Sequence, residues 1–252
     1  MKKTNLIKSL SVLAIALMLN ACKKDNSAAP ASGTAVNFSV KADNASNTLN
    51  SVNGGTQITN STASASVNWT SAVANIAFLK LEARTKNTEI EIKTRALSNI
   101  DLFAVTPATI STAIDTGTYR EIEIKVELMK TSSSAIPLTL KGSFTTPGGA
   151  VVPVEFDFND NAEIKAEAQN VTVDGKTDIA TTVKIHLNML LAGVSAATLD
   201  AATRTGGTIV ISSSSNTNIY NQIVANFPSS GEGEGFEHKG KDGKGHDGGN
   251  DH

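Results

Sequence analysis

From Arg120 to Met129 the chain reads REIEIKVELM, in which apolar residues alternate with charged ones. Successive side chains of a β-strand point to opposite faces of the sheet. Ile122, Ile124 and the two apolar residues that follow them would therefore share one buried face, while the charged residues would lie in water. The stretch predicts a strand at the surface of a sheet, with its apolar side against a core.

The same alternation recurs in short runs that are separated by turn sequences, such as residues 86–88 and 147–149. Many short amphipathic strands at this spacing favour antiparallel sheets packed face to face. We therefore expect an all-β protein, an antiparallel β-sandwich of the transthyretin-like or immunoglobulin-like kind, over residues 36–228. Residues 44–64 predict a long loop, and residues 217–227 predict a short helix that covers one end of the sandwich.

Residues 1–21 have the make-up of a secretory signal peptide. Lys2, Lys3 and Lys8 make a basic start, and an uncharged apolar run of ten residues begins at Leu10. As a helix this run would span roughly 15 Å, about half of a bilayer core, so it is too short to be a stable membrane span.

The signal peptide leads into Leu19, Asn20 and Ala21, which precede the only cysteine of the chain, Cys22. This sequence resembles the bacterial lipobox. In that family a peptidase cuts before the cysteine, whose sulfur carries a diacylglycerol. A disulfide would need a second cysteine, a metal site would need neighbouring ligands, and a nucleophile would need a base. We therefore expect Cys22 to be lipidated and to hold the protein at a membrane through two or more acyl chains.

Residues 27–35 are small and polar, so residues 22–35 predict a lipidated cysteine followed by a flexible tether to the β domain. Lys24 and Asp25 resemble the export signal that directs Bacteroidota lipoproteins to the cell surface, although Asn26 stands where a second acidic residue would be expected. A solvated linker is the alternative interpretation. The expected location is the cell envelope, at the outer membrane, with periplasmic and surface-facing positions both open.

Composition narrows the choice of partners. The formal net charge is −2, and removal of the three leader lysines lowers Lys plus Arg from 22 to 19 against 24 acids, which leaves a charge of −5. Because the chain has no broad basic field, we expect no nucleic-acid binding. The expected partners are the membrane, through the lipid anchor, and an envelope or extracellular protein or glycan that the sequence does not name.

Two stretches resemble a domain of unknown function found in bacterial lipoproteins, catalogued as family 4382. They are IDLFAV from Ile100 and TGTYREIEIKVE from Thr116. The family's entry into an alternating strand reads G-x-Y, which Gly117 and Tyr119 match. The resemblance covers residues 65–160 and implies a β-sandwich in a cell-envelope protein, with no catalytic residues to carry over. Tyr119 is expected to place its ring at a sheet edge.

The sequence offers weak candidates for catalysis. His186 is the only histidine before the C-terminal tail, and its alternation with apolar neighbours predicts an exposed side chain. No G-x-S-x-G nucleophile elbow is present. The carboxylate pairs Glu121 with Glu123 and Glu155 with Asp157 predict solvated strand faces, whereas glycosidases need carboxylates on facing elements in a cleft. We therefore expect no catalytic site and no enzyme.

One candidate metal loop lies inside the domain. Asp157, Asn159 and Asn161 have the D-x-N-x-N spacing with which calcium loops begin, and their oxygens suit Ca²⁺. Ala162 stands where such a loop has glycine, and Ala168 stands where it has a bidentate glutamate. The alternative is a polar turn between strands. We expect no obligatory cofactor, with weak calcium binding as a hypothesis.

The tail, residues 229–252, is rich in glycine and charge and predicts a disordered segment because it has too little apolar surface to fold. Its imidazoles and carboxylates could take up Zn²⁺ loosely, although ordering a glycine-rich chain around an ion costs entropy. A solvating tail is the alternative interpretation. The candidate ligands are His238, His246, His252, Asp242 and Asp247.

Three functions remain open from the sequence. The first is a lipid-anchored cell-envelope protein whose non-enzymatic β-sandwich binds or presents something at the membrane surface. The second is a structural or adhesion subunit like the fimbrillin lipoproteins, which would need a strand donated between subunits. The third, which is less favoured, is either an envelope protein that binds metal through the tail or an enzyme in which His186 acts beside an acid and a hydroxyl.

Overall fold

The computed structural model describes residues 34–50, 64–94, 96–233 and 237–240. Strands dominate these residues and form three sheets around one apolar core, so the predicted all-β, sandwich-like class is confirmed. The strands are β1 (Thr34–Asp43), β2 (Ser46–Thr48), β3 (Ser66–Ile76), β4 (Phe78–Arg84), β5 (Glu89–Lys93), β6 (Leu97–Asp101), β7 (Thr109–Ile114), β8 (Gly117–Leu128), β9 (Leu138–Thr145), β10 (Val151–Phe158), β11 (Ala162–Val173), β12 (Thr177–His186), β13 (Arg204–Thr205), β14 (Thr208–Ile211), β15 (Gly231–Gly233) and β16 (Glu237–Gly240). The helices are α1 (Leu187–Leu190), α2 (Ala196–Asp200) and α3 (Thr217–Asn226), and a 3-10 turn follows at Phe227–Ser229.

Sheet A has the strand order β15-β12-β1-β7, with β16 also beside β12. Sheet B has the order β13-β14-β10-β9-β3-β2, with β6 also beside β3, and sheet C has the order β11-β8-β4-β5. Most neighbours are antiparallel, as predicted, but β1 runs parallel to β12 and β10 runs parallel to β14. Alternation of apolar residues does not distinguish the two directions, so the sequence pattern could not reveal these parallel pairs.

The chain passes directly from sheet B to sheet C at two places. Only Ala77 separates β3 from β4, and residues 159–161 separate β10 from β11. At the second place the side chain of Asn159 makes two hydrogen bonds with the backbone of Thr131. Its Nδ2 donates to the Thr131 carbonyl at 2.9 Å, and its Oδ1 accepts from the Thr131 amide at 2.9 Å. Sheets B and C are therefore held together by continuous chain and by a side-chain amide at the corner.

Helix α3 covers an aromatic part of the core, as the pattern of residues 217–227 predicted. The ring of Phe156 lies 6.0 Å from that of Tyr220, and Phe158 stacks on Phe227 with ring centroids 4.2 Å apart. Offset aromatic pairs at these distances add stability beyond the area that they bury.

Two local expectations are wrong. Apolar residues alternate between Ile179 and Met189 and predict one long strand, but β12 ends at His186 and α1 begins at Leu187. Tyr119, whose ring was expected at a sheet edge, is only 2% exposed and belongs to the core. Its hydroxyl donates to the carbonyl of Asp115 (2.9 Å), four residues upstream, as the tyrosine corners of β-sandwiches do.

The tail differs from the expected disordered segment in the part that the structure describes. Strands β15 and β16 pair with β12 in antiparallel register. A Cβ on Gly231 would come within 2.2 Å of the Cγ2 of Ile164, so the close approach of β15 to β11 requires glycine. Composition missed these strands because backbone pairing against an existing strand needs no apolar side chain. Residues 234–236 and 241–252 lie outside the described residues.

Candidate functional site

The outer side of sheet C is built from the alternating residues of four strands, and we call it the charged face. The register places lysines opposite lysines across all four strands and glutamates opposite glutamates in the next row. The lysine row is Lys93, Lys80, Lys125 and Lys165, and the glutamate row is Glu91, Glu82, Glu123 and Glu167. Like charges directly opposite each other destabilise a sheet, so this arrangement depends on ion pairs between the rows.

Glu82 lies at the centre of these ion pairs. Its carboxylate lies 2.6 Å from Lys80 Nζ, 2.5 Å from Arg84 Nη2 and 3.1 Å from Lys125 Nζ. The Glu82 side chain is only 4% exposed. The hydrogen bond from Lys80 lowers the pKa of Glu82, against the opposing effect of burial, and Lys125 lowers it further. The carboxylate is therefore ionised and fixed in place by three cations.

Glu123, in the same row, is 5% exposed, so the expectation of a solvated strand face is wrong for this residue. Among the residues that the structure describes, none donates a hydrogen bond to its Oε1, which lies 3.5 Å from Lys125 Nζ and 3.4 Å from Lys165 Nζ. Glu121 is half-buried and pairs with Arg84 Nη1 at 2.5 Å. With Glu91 of β5 on Lys80 at 3.0 Å, all four strands share one continuous network of charges.

A polar cleft of about 570 Å³ lies at one end of the charged face, beside the turn between β4 and β5. Arg84 lines it and is held there by Glu121 and by Glu89, whose Oε1 accepts from Arg84 Nε at 3.1 Å. Arg120 and Asn170 line the other side. Guanidinium, carboxylate and amide groups in one cleft are suited to hydrogen bonding with a polar ligand.

Asn170 explains why the cleft lies at this point of the sheet. Its backbone is left-handed, with φ of 56°. Before it, the odd-numbered residues Lys165 and Glu167 point outward from β11. After it, the odd-numbered residues Val171 and Val173 point into the core instead. The strand therefore turns over at Asn170, and the charged face ends there in a recess.

An apolar cleft of about 470 Å³ lies at the opposite end of the charged face. Phe78 and the half-exposed Met129 line it, and Lys93 Nζ lies 3.2 Å from the centre of the Phe78 ring. Glu127 and Glu163 are cross-strand neighbours at its rim. Burial raises the pKa of Glu127, and the charge of Glu163 and a hydrogen bond to it raise that pKa further.

His186 is more enclosed than its alternation predicted, with 14% of its side chain exposed. Its Nδ1 lies 2.6 Å from Oδ1 of Asp43, and the parallel register of β1 and β12 places the two residues side by side. A carboxylate that holds an imidazole in this way occurs in nucleophilic sites. Here the pair ties the ends of two neighbouring strands together.

The three residues of the candidate calcium loop are separated in their roles. The oxygens of Asn159 and Asn161 accept from the backbone amides of Thr131 and Lys130, each at 2.9 Å, while Asp157 lies on β10. Burial raises the pKa of Asp157. Within the described ranges, no three His, Cys, Asp or Glu side chains come together to hold a metal ion. Calcium binding by this loop stays a prediction.

The remaining candidates fall at the two ends of the chain. Cys22, His246, His252, Asp242 and Asp247 lie outside the described residues. The backbone of His238 belongs to β16 and lies opposite Ile179. Lipidation of Cys22 and metal binding by the tail therefore stay predictions.

Sequence reasoning found the alternating strands of sheet C but missed the charge network and both clefts. The missed signal is the similarity of three runs, EIEIK from Glu89, EIEIKVE from Glu121 and AEIKAE from Ala162. The first run pairs with β4 and the other two pair with each other, and these registers align their lysines and glutamates in rows. The alignment depends on which strands are neighbours, which no single run reveals.

No family model, no curated protein and no solved structure matches this chain. No helix in the part of the chain that the structure describes is long and apolar enough to cross a membrane. A functional assignment therefore depends on the chain's own residues and geometry.

Proposed function

We propose that this chain is a lipid-anchored protein of the bacterial cell envelope whose β domain binds or presents a partner without catalysing a reaction. The observation that carries the proposal is the lipobox-like sequence before Cys22, which follows a basic start and a short apolar run. Strand β1 begins at Thr34, so a short segment separates the lipidated sulfur from the first strand.

The charged face and its two clefts support the binding role. Ion pairs with the buried carboxylates of Glu82 and Glu123 fix Lys80, Lys125 and Lys165, so a partner would meet ordered side chains. Ordering them beforehand reduces the entropy lost on binding. The polar cleft at one end offers groups for a glycan or a polar peptide, and the apolar cleft at the other end offers Phe78 and Met129.

Metabolic labelling with an alkyne analogue of palmitate tests the anchor. Cells of the native host express the full chain, the Cys22→Ser variant or a matched control, Ser27→Ala, which leaves the lipobox intact. We expect label and membrane fractionation for the unmodified chain and the control, and loss of both for Cys22→Ser. An unlabelled wild-type chain, or a Cys22→Ser variant that stays with the membrane to the same extent, would contradict the proposal.

Protease treatment of intact cells then separates the two orientations. If the β domain faces outward, it is cleaved in intact cells, and its partner is extracellular. If it faces the periplasm, it is cleaved only after the outer membrane is opened. Protection in both conditions would contradict an envelope location.

A further inference from the structure

The edges of the described sheets differ in how they are protected against pairing with another strand. Charged side chains, short length and bulges are the usual protections. Strand β5 carries Glu89, Glu91 and Lys93, while β2 and β13 are three and two residues long. Strand β6 carries Asp101, and its register with β3 shifts near Ala74.

Strand β7, at the edge of sheet A, has none of these protections. Its sequence, TISTAI, contains six residues without charge or proline. Strand β1 pairs with one side of β7, and no described strand lies on the other side. Because alternate residues of an antiparallel strand point their backbone groups the same way, half of the N–H and C=O groups of β7 point away from β1.

The side chains of β7 also suit a flat, extended sheet. Thr109, Ser111 and Ala113 are small and exposed on the outer face, while Ile110 and Thr112 are half-buried on the core face. On the same face of neighbouring β1 lie the small, uncharged residues Asn37, which is partly buried, and Ser39, which is buried. A second strand could therefore approach without steric hindrance or charge repulsion from these residues.

We propose that β7 pairs with β7 of a second copy of this chain, joining two copies of sheet A into one continuous antiparallel sheet. A two-fold axis perpendicular to the sheet keeps the outer faces of the two copies on the same side. Even-numbered residues of one β7 therefore lie opposite even-numbered residues of the other, and odd-numbered opposite odd-numbered. With Thr112 opposite Thr112 of the second copy, Ile110 lies opposite Ile114, and Ser111 lies opposite Ala113. This register places two isoleucines together on each core side, which is a favourable cross-strand pair.

Two six-residue strands make a short interface, which is weak between molecules in dilute solution. Molecules anchored in one membrane meet at a much higher local concentration, and this part of the inference rests on the proposed lipid anchor. We therefore expect the pairing to occur on the membrane, and in solution only at high protein concentration.

Thiol cross-linking in membranes tests the pairing and its register. The Ser111→Cys and Ala113→Cys variants carry different epitope tags and are expressed together, and a short bifunctional maleimide is added. Both side chains are exposed, so the substitutions should not disturb the core. The only native cysteine is Cys22.

The matched control is Thr172→Cys, an exposed threonine on β11, paired with the same Ala113→Cys partner. Alkyne-palmitate label is measured in the same membranes.

We expect the mixed product of positions 111 and 113 to exceed the control several-fold. Labelled membranes in which this product stays at the control level would overturn the β7 pairing and leave the anchor intact. An excess of products that join position 111 to itself would overturn the register, and a product that contains another protein would overturn the choice of a second copy. If the chain carries no label, the anchor fails and purified chain at high concentration should still give the 111–113 product. Its absence there would also overturn the pairing.

Discussion

The substitution Glu82→Gln removes the charge at the centre of the charged face with little change in volume. The carboxylate has three cationic partners, at 2.6 Å (Lys80), 2.5 Å (Arg84) and 3.1 Å (Lys125), and it is 4% exposed. After the substitution those cations lose the anion that lies between them. The positive charge of the lysine row would then be balanced mainly by Glu123 and by the glutamates at the two edges of the sheet.

The expected cost follows from burial. Breaking a fully buried ion pair by removing one partner costs about 3–5 kcal/mol, because it leaves a buried charge without compensation. Here the three cations are partly exposed, and Lys80 keeps Glu91 at 3.0 Å while Arg84 keeps Glu89 and Glu121. We therefore expect Glu82→Gln to lower the free energy of unfolding by about 2 kcal/mol at pH 7, below the fully buried case.

Glu91→Gln is the matched control, because Glu91 lies in the same row on neighbouring β5 and is 54% exposed, with one contact to Lys80. Exposed pairs contribute about 0–1 kcal/mol and weaken as salt rises. The assay is urea unfolding of the wild-type chain and both variants at low salt and at high salt. The loss for Glu82→Gln should persist in high salt, since the Glu82 carboxylate is only 4% exposed and is shielded from dissolved ions.

The pH dependence has a definite sign. Because the pKa of Glu82 is lowered in the folded protein, its contribution is present above the unfolded-state pKa, near 4.5, and is lost as the pH falls through the folded-state value. Wild type and Glu82→Gln should therefore converge in stability at acidic pH. Equal losses for Glu82→Gln and Glu91→Gln at pH 7 would refute the reasoning that burial makes the central carboxylate important.

Three further substitutions test other features of the structure. Glu127→Gln should stabilise the protein at neutral pH by about 0.5 kcal/mol, since like charges opposite each other destabilise a sheet. Because the pKa of Glu127 is raised, this gain in stability should grow as the pH rises through that pKa and should disappear in acid. Urea unfolding at several pH values would show this dependence. Asn170→Ala should cost about 1 kcal/mol in thermal unfolding, because alanine is disfavoured at a φ of 56°, whereas Asn170→Gly should be nearly neutral; equal effects would contradict the role assigned to the left-handed turn. Gly142→Ala should cost 2 kcal/mol or more, on the order of an overpacked core, because its Cβ would lie 2.1 Å from the carbonyl oxygen of Asn68; an unchanged urea midpoint would contradict that close approach.

Much of the fold followed from alternation alone. The apolar face of REIEIKVELM is buried as predicted, from Ile122 to Leu128, because the period of two is a local property of the strand. The helix over residues 217–226 also followed from a local pattern. What could not be predicted is non-local: the parallel pairing of β1 with β12, and the passage of the chain from sheet B to sheet C.

The candidate site shows the same division. The sequence correctly placed Glu121, Glu123 and Lys125 on one face, but it could not show that Glu123 would be covered by lysines from β8 and β11. The candidate calcium loop, whose metal binding stays a prediction, shows a second kind of non-local information that the sequence lacked. Its spacing matched a metal motif, whereas the amides of Asn159 and Asn161 are used to hold the backbone of a neighbouring loop.

We propose that lipid on Cys22 holds this β domain at the cell envelope, and the binding role depends on that anchor. Mass spectrometry of the N-terminal peptide, from protein purified out of native-host membranes, detects the lipid itself. We predict a peptide that begins at Cys22 and carries the added mass of a diacylglycerol on sulfur. A peptide that contains Cys22 as a free thiol would contradict the claim.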